Sequence, residues 1–140
     1  MKEEFNIVLN NINETRIFAK NISKFLESSM ILCLYGDVGT GKTTFCRFLI
    51  NSLSKKKIKV LSPTFPILQI YELEKLKIWH YDFYRLNNKN EILNLDFDLA
   101  KNDCVLIEWP KLLENLLPKD RIIIRFFDGD CSLSRKISIM

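Results

Sequence analysis

The sequence has no apolar run long enough to cross a bilayer, no cysteine pair at zinc-finger or redox spacing, one histidine, no internal repeat and no low-complexity linker. Those absences exclude a membrane-spanning protein, a disulfide scaffold and a repeat array. Met1-Lys2-Glu3-Glu4-Phe5 carries acids with no apolar stretch behind it, so a signal peptide is not expected and the chain is read as soluble and cytoplasmic, with no membrane partner. Cys33, Cys46, Cys104 and Cys131 are scattered, three of them in apolar runs, which suits free thiols in a reducing compartment. Excess charge is also scarce: 21 basic against 17 acidic residues leave +4, too little to indicate nucleic acid by itself. Lys55, Lys56, Lys57 and Lys59 crowd one helix–strand junction and read as a solvated turn. A chain of 140 residues has room for one domain, spanning 1–140, and no second.

What is present is strands interleaved with helices. Phe5–Leu9 reads as a first strand. Asn13 then offers a helix N-cap before Phe18, Ile22, Phe25 and Leu26, which share one helical face. Met30–Tyr35 is an unbroken apolar run ending at a glycine, as expected for a central strand covered on both faces. A helix beginning near Lys42 carries Phe45, Phe48, Leu49 and Leu53 along one side. Ile58–Leu61 is expected as a short strand. Ile67–Tyr71 with Leu76–Phe83 suits a hairpin, Asn87–Asn90 a turn, and 91–99 a short helix. Cys104–Ile107 reads as a second buried strand. A short helix and strands at Ile122–Phe127 and Arg135–Ile139 complete the pattern. The expected fold is α/β: a P-loop NTPase-like three-layer sandwich with a mixed, largely parallel central sheet and antiparallel edge strands.

The chemistry concentrates after the first buried strand. Gly36-Asp37-Val38-Gly39-Thr40-Gly41-Lys42-Thr43, followed by Thr44, fits the Walker A pattern between a strand and a helix. Gly36, Gly39 and Gly41 keep side chains away from backbone N–H groups that can wrap phosphates, and the helix N-terminus adds positive potential. Lys42 is expected to reach the β- and γ-phosphates of ATP, and the Thr43 hydroxyl to bind Mg2+. A phosphate-bound magnesium needs an acid at a neighbouring strand end. Glu108, behind four apolar residues, is the expected metal ligand. Asp82, in Trp79-His80-Tyr81-Asp82-Phe83-Tyr84-Arg85-Leu86, is a second catalytic carboxylate, and whether it or Glu108 orients the attacking water stays open. His80 is read as a residue that packs or hydrogen-bonds structurally, and Arg85 as an ion-pair partner ahead of a charge stabiliser. Thr64 in Ser62-Pro63-Thr64-Phe65 sits on a proline-stiffened loop that suits a nucleotide switch, and Trp109 could shield the site from water.

In order along most of the chain, Gly36 to Thr44, Ser62 to Phe65 with Tyr71-Glu72, His80 to Leu86, and Ile107-Glu108-Trp109-Pro110 resemble the TsaE (YjeE) family of bacterial ATPases. Those ATPases take part in making threonylcarbamoyladenosine on transfer RNA. The resemblance implies that Thr43 and Glu108 serve magnesium, that Lys42 holds phosphate, and that Thr64, Asp82 and Trp109 matter for nucleotide-dependent function. It places adenine near the N-terminal helix, beside Thr15 and Arg135. It also implies a partner pair, the threonylcarbamoyl transferase subunit and its inactive paralogue. Transfer RNA would be met indirectly through that assembly, with slow ATP hydrolysis by the lone chain. Lys111, Pro66 and Asn94 depart from the usual family residues at switch and surface positions. The competing readings are a small-molecule kinase, which lacks here an arginine-rich lid, and a nucleotide-gated binding module. A GTPase would have only Asn88-Lys89-Asn90-Glu91 as a loose guanine-reading motif.

Overall fold

The computed structural model describes residues 5–61, 63, 66–88, 90–91, 95–128 and 135–139, the last by backbone alone. Its strands are β1 (Phe5–Leu9), β2 (Ile31–Tyr35), β3 (Leu68–Glu72), β4 (Lys77–Asp82), β5 (Cys104–Glu108), β6 (Ile122–Asp128) and β7 (Arg135–Ile139). They form one seven-stranded sheet in the order β1-β7-β6-β2-β5-β4-β3. The inner pairs β2–β5, β2–β6 and β4–β5 are parallel. The outer pairs β1–β7, β6–β7 and β3–β4 are antiparallel. This is the mixed sheet, parallel inside and antiparallel at its edges, that the apolar runs imply.

Every residue of β5 is buried, and β2 is buried from Ile31 to Leu34, because both strands are covered on two faces. Side-chain alternation then sorts the core. Leu32 and Leu34 face the layer containing α1 (Ile12–Ser23) and α2 (Lys42–Leu53), where Phe18, Phe45 and Phe126 form a ladder of rings 5.6 Å apart. Ile31 and Cys33 face the opposite layer, where α3 (Phe97–Ala100) and a 3-10 helix (Pro110–Leu116) bring Phe97, Ala100 and Leu113 against Tyr81 and Ile107. The result is helix, sheet, helix. Among the described residues no helix is long and apolar enough to cross a membrane.

Three local expectations are corrected. The N-cap of α1 is Asn11, not Asn13: extended Asn11 accepts from Glu14 N at 2.9 Å, while Glu14 accepts from Asn10 N in return. Asn13 instead accepts from Arg16. The helix stops at Ser23, so Phe25 leaves the apolar stripe and is 71% exposed. Ile58–Leu61 forms no strand. Ile58 N donates to the Asn51 side chain at 2.7 Å and Val60 O accepts from Arg47 at 3.2 Å, so side chains of α2 satisfy the backbone in place of a ladder. The helix expected over 91–99 falls partly on 92–94, outside the described residues; of its described part Glu91 is helical, 95–96 is a turn, and Phe97–Ala100 is the single helical turn α3. In the lysine cluster, Lys55 pairs at 2.9 Å with exposed Glu74, as a solvated turn would.

Candidate active site

The site is built where the parallel strands end. In the β4–β5 register Asp82 lies opposite Glu108, and in the β2–β5 register Glu108 lies opposite Leu34, one residue short of the loop that follows β2. Two carboxylates and a glycine-rich loop thus meet at one edge of the sheet, the C-terminal edge at which open α/β sheets hold ligands.

The loop's shape depends on its glycines. Gly36 has φ +146°, and a Cβ there would stand 2.7 Å from Thr40 Oγ1 and 2.8 Å from Phe126 O, so the loop presses on β6 too closely for any side chain. Gly39, at φ +81°, has open space around it and is required for conformation alone. Inside the loop Thr40 Oγ1 donates to Asp37 O at 2.7 Å. Gly41 is the N-cap of α2 and makes no side-chain cap, which leaves the first-turn N–H groups of that helix to a ligand.

Lys42 is 5% exposed. Its ammonium donates to Gly36 O and, at 3.0 Å, to Asp37 O, and it lies 4.0 Å from the centroid of the Trp109 ring. Burial pulls the Lys42 pKa below its ordinary value, a shift opposed by the carboxylates of Glu108, Asp82 and Asp37. Trp109 holds its position through a left-handed backbone, φ +57°, at the end of β5, and its ring sits 4.7 Å from that of Tyr84.

Glu108 is 2% exposed and both of its oxygens are engaged. Thr43 Oγ1 donates to Oε1 at 2.7 Å, and His80 Nε2 donates to Oε2 at 2.7 Å. Asp82, equally buried, accepts from Tyr84 N at 2.9 Å. Together Asp37, Val38, Gly39, Gly41, Lys42, Thr43, Thr44, Asp82, Tyr84, Glu108 and Trp109 line a cavity of about 370 Å³. Backbone donors and an ammonium on one wall suit a polyanion. The oxygen donors of Thr43 and Glu108 on the floor suit a hard cation such as Mg2+. A smaller cavity of about 110 Å³ shares Gly41 and Thr44 with it and is lined by Leu9, Ile12, Thr15, Thr40 and Phe126.

The structure therefore brings together Gly36 to Thr44, Asp82, Glu108 and Trp109, and places Thr15 in the adjoining cavity. Thr64 lies outside the described residues. Arg135 opens β7 opposite Leu9 and Asp128, and its side chain lies outside them too. Two residues outside the expected catalytic set stand at the site. His80, expected to pack or to hydrogen-bond structurally, makes such a bond to Glu108; strand alternation puts it on the same face as Asp82, and its Nδ1 has no hydrogen-bond partner among the described residues. Tyr84, 55% exposed, was passed over because its place against Trp109 follows from register across separate segments.

A family model described as threonylcarbamoyl adenosine biosynthesis protein TsaE matches residues 9–137. A protein of Rickettsia prowazekii named tRNA threonylcarbamoyladenosine biosynthesis protein TsaE is 39% identical over 134 residues, covering 91% of this chain and 93% of its own. A Bacillus subtilis protein of the same name is 38% identical over 114 residues, covering 81% and 72%. Among solved structures, that of Bacillus subtilis YdiB superposes with a TM-score of 0.79 at 28% identity, over 99% of this chain and 86% of that one.

Proposed function

This chain belongs to the TsaE family of transfer-RNA threonylcarbamoyladenosine biosynthesis proteins, and from that membership we propose that it is a single-domain, Mg2+-dependent ATPase of the cytoplasm that serves the threonylcarbamoyl transferase subunit and its inactive paralogue. It does not transfer the group itself, and transfer RNA is met through the assembly. The observation that carries the reading is the 2.7 Å contact of Thr43 Oγ1 with Glu108 Oε1, at the floor of a cavity whose other wall is the 36–44 loop and Lys42.

In this reading the loop N–H groups and the uncapped start of α2 bind the phosphates, and Lys42 leaves the carbonyls of Gly36 and Asp37 to pair with the β- and γ-oxygens. Thr43 and Glu108 hold magnesium, which when bound neutralises charge that builds on the phosphates. His80 fixes the rotamer of Glu108 by occupying its second oxygen. Asp82, on the neighbouring strand, holds water next to that carboxylate. Water adds to the γ-phosphorus, the bond to the β-phosphate oxygen breaks, and ADP, phosphate and a proton leave. Trp109 and Tyr84 cover the site against bulk water, and adenine reaches the cavity beside Thr15, with Thr64 and Arg135 also contributing. Among the described residues no arginine lines the cavity, and an arginine finger is worth about 10³–10⁵ in rate, so turnover by the chain alone is slow.

Phosphate release from ATP, measured with the chain alone and with the transferase pair and transfer RNA, tests this. The assembly is expected to raise a Mg2+-dependent rate that Glu108→Ala abolishes. Failure to bind ATP at millimolar Mg2+, or indifference to both assembly and mutation, would overturn it.

A further inference from the structure

We propose that Cys46, His80 and Glu108 form a site for a thiophilic divalent cation such as Zn2+ beneath the phosphate cavity, and that filling it blocks the cavity's use. The three side chains come from α2, β4 and β5, and the ligand atoms they offer all lie within 4.8 Å of one another. All three residues are buried, and Glu108 forms part of the cavity floor, which gives an ion its way in.

The donor set is one sulfur, one imidazole nitrogen and one carboxylate oxygen. Magnesium takes oxygen ligands and gives up its waters reluctantly, whereas thiolate and imidazole select zinc and its neighbours. Tetrahedral zinc, with bonds of roughly 2.0 Å to nitrogen and oxygen and 2.3 Å to sulfur, sets ligand atoms roughly 3.3–3.6 Å apart. His80 Nε2 and Glu108 Oε2, at 2.7 Å, need to part slightly, and the Cys46 sulfur, within 4.8 Å of the other ligand atoms, needs to move inward by no more than about 1.5 Å. The ion takes the place of the proton now held between imidazole and carboxylate.

The protons balance without any redox change. The Cys46 thiol releases its proton to solvent. Burial and the carboxylates of Glu108 and Asp82 now keep that thiol protonated, and a dication inverts their field. His80 gives up Nε2–H and takes a proton on Nδ1, a nitrogen with no hydrogen bond among the described residues to lose. Three protein ligands leave the fourth position open toward the cavity for water or a phosphate oxygen, as in open zinc sites. Because Glu108 serves both ions, zinc excludes the magnesium arrangement. That consequence rests on the ATPase reading; the binding itself does not.

The test is titration of the reduced, metal-free full chain with Co2+, reading thiolate-to-cobalt absorption in the near ultraviolet, then displacement by Zn2+. Wild type is expected to develop the band at one equivalent, Cys104→Ala to keep it, and Cys46→Ala and the volume-conserving Cys46→Val to lose it. Zn2+ is expected to lower Mg2+-ATP hydrolysis at least tenfold in wild type and less than twofold in either Cys46 variant, each with the wild-type rate when zinc is absent. No band in wild type, a band that survives both Cys46 substitutions, or equal zinc inhibition in all three proteins overturns the proposal. A band that tracks Cys46 in a chain without ATPase activity leaves the metal site standing and removes the ATPase reading instead.

Discussion

Glu108 is held from both sides, by a hydroxyl in the phosphate loop and by an imidazole from the adjacent strand. Removing a group that orients a metal-binding carboxylate costs about 10–100-fold in comparable sites. If the proposed ATPase reading holds, His80→Ala is expected to lower kcat for ATP by about that factor with little change in KM, since the 36–44 loop is untouched. His80→Gln, which can still present an N–H to Oε2, is expected to recover most of the loss. A residue that only filled space would affect melting temperature and leave kcat alone. Trp109 supplies a second residue-scale measurement. Its ring lies under the Lys42 ammonium, whereas Trp79, the other of two tryptophans, is buried and donates to Asp103 at 2.9 Å. Drawing Lys42 toward phosphate changes the field on Trp109 alone, so ATP should alter indole fluorescence in wild type and leave it unaltered in Trp109→Phe.

The strand–loop–helix element from β2 to α2 distinguishes two kinds of glycine. Gly36→Ala must push Phe126 O and Thr40 away as well as hold φ +146°, so it disturbs β6 and the loop together. A destabilisation of about 2–4 kcal/mol is expected, with loss of nucleotide binding. Gly39→Ala meets no atom and carries only the left-handed backbone cost of about 1–2 kcal/mol. Chemical denaturation of the two variants checks the order. Elements such as this one were legible in the sequence because their signals are local: an apolar run, glycines at fixed spacing, then a helical stripe. The Ile58–Leu61 segment was misread because the partners of its backbone, Asn51 and Arg47, are side chains of the preceding helix, which no period-two pattern announces. Asn11 and Asn13 compete as caps with the same chemistry, and Glu14 decides for Asn11 by standing three residues on.

Across the whole molecule, the sheet's parallel interior and antiparallel edges followed from the apolar runs, while the pairing of Asp82 with Glu108 came from register, which composition does not encode. The partner of His80 was not legible for the same reason, since it stands 28 positions away. Burying cysteines in that interior has a consequence for alkaline stability. Burial, with Asp103 nearby, raises the Cys104 pKa from 9.0 to about 12, so the unfolded chain releases this proton first. The stabilising preference for the protonated thiol is intact below pH 9 and is lost progressively as pH climbs toward about 12, by about 1.4 kcal/mol per unit. Melting temperatures measured from pH 8 to 11 should fall for wild type and fall less steeply for Cys104→Ala. The same sheet has a meaning during synthesis. Thr43 and Glu108 are 65 positions apart, and β6, which flanks β2, is made later still. A ribosome adding about 5–20 residues per second emits the phosphate loop roughly 3–13 seconds before its acid. The nascent chain in that interval can display a loop without the carboxylate that completes it, and the proposed nucleotide chemistry would begin only when translation has delivered the strands on both sides of β2.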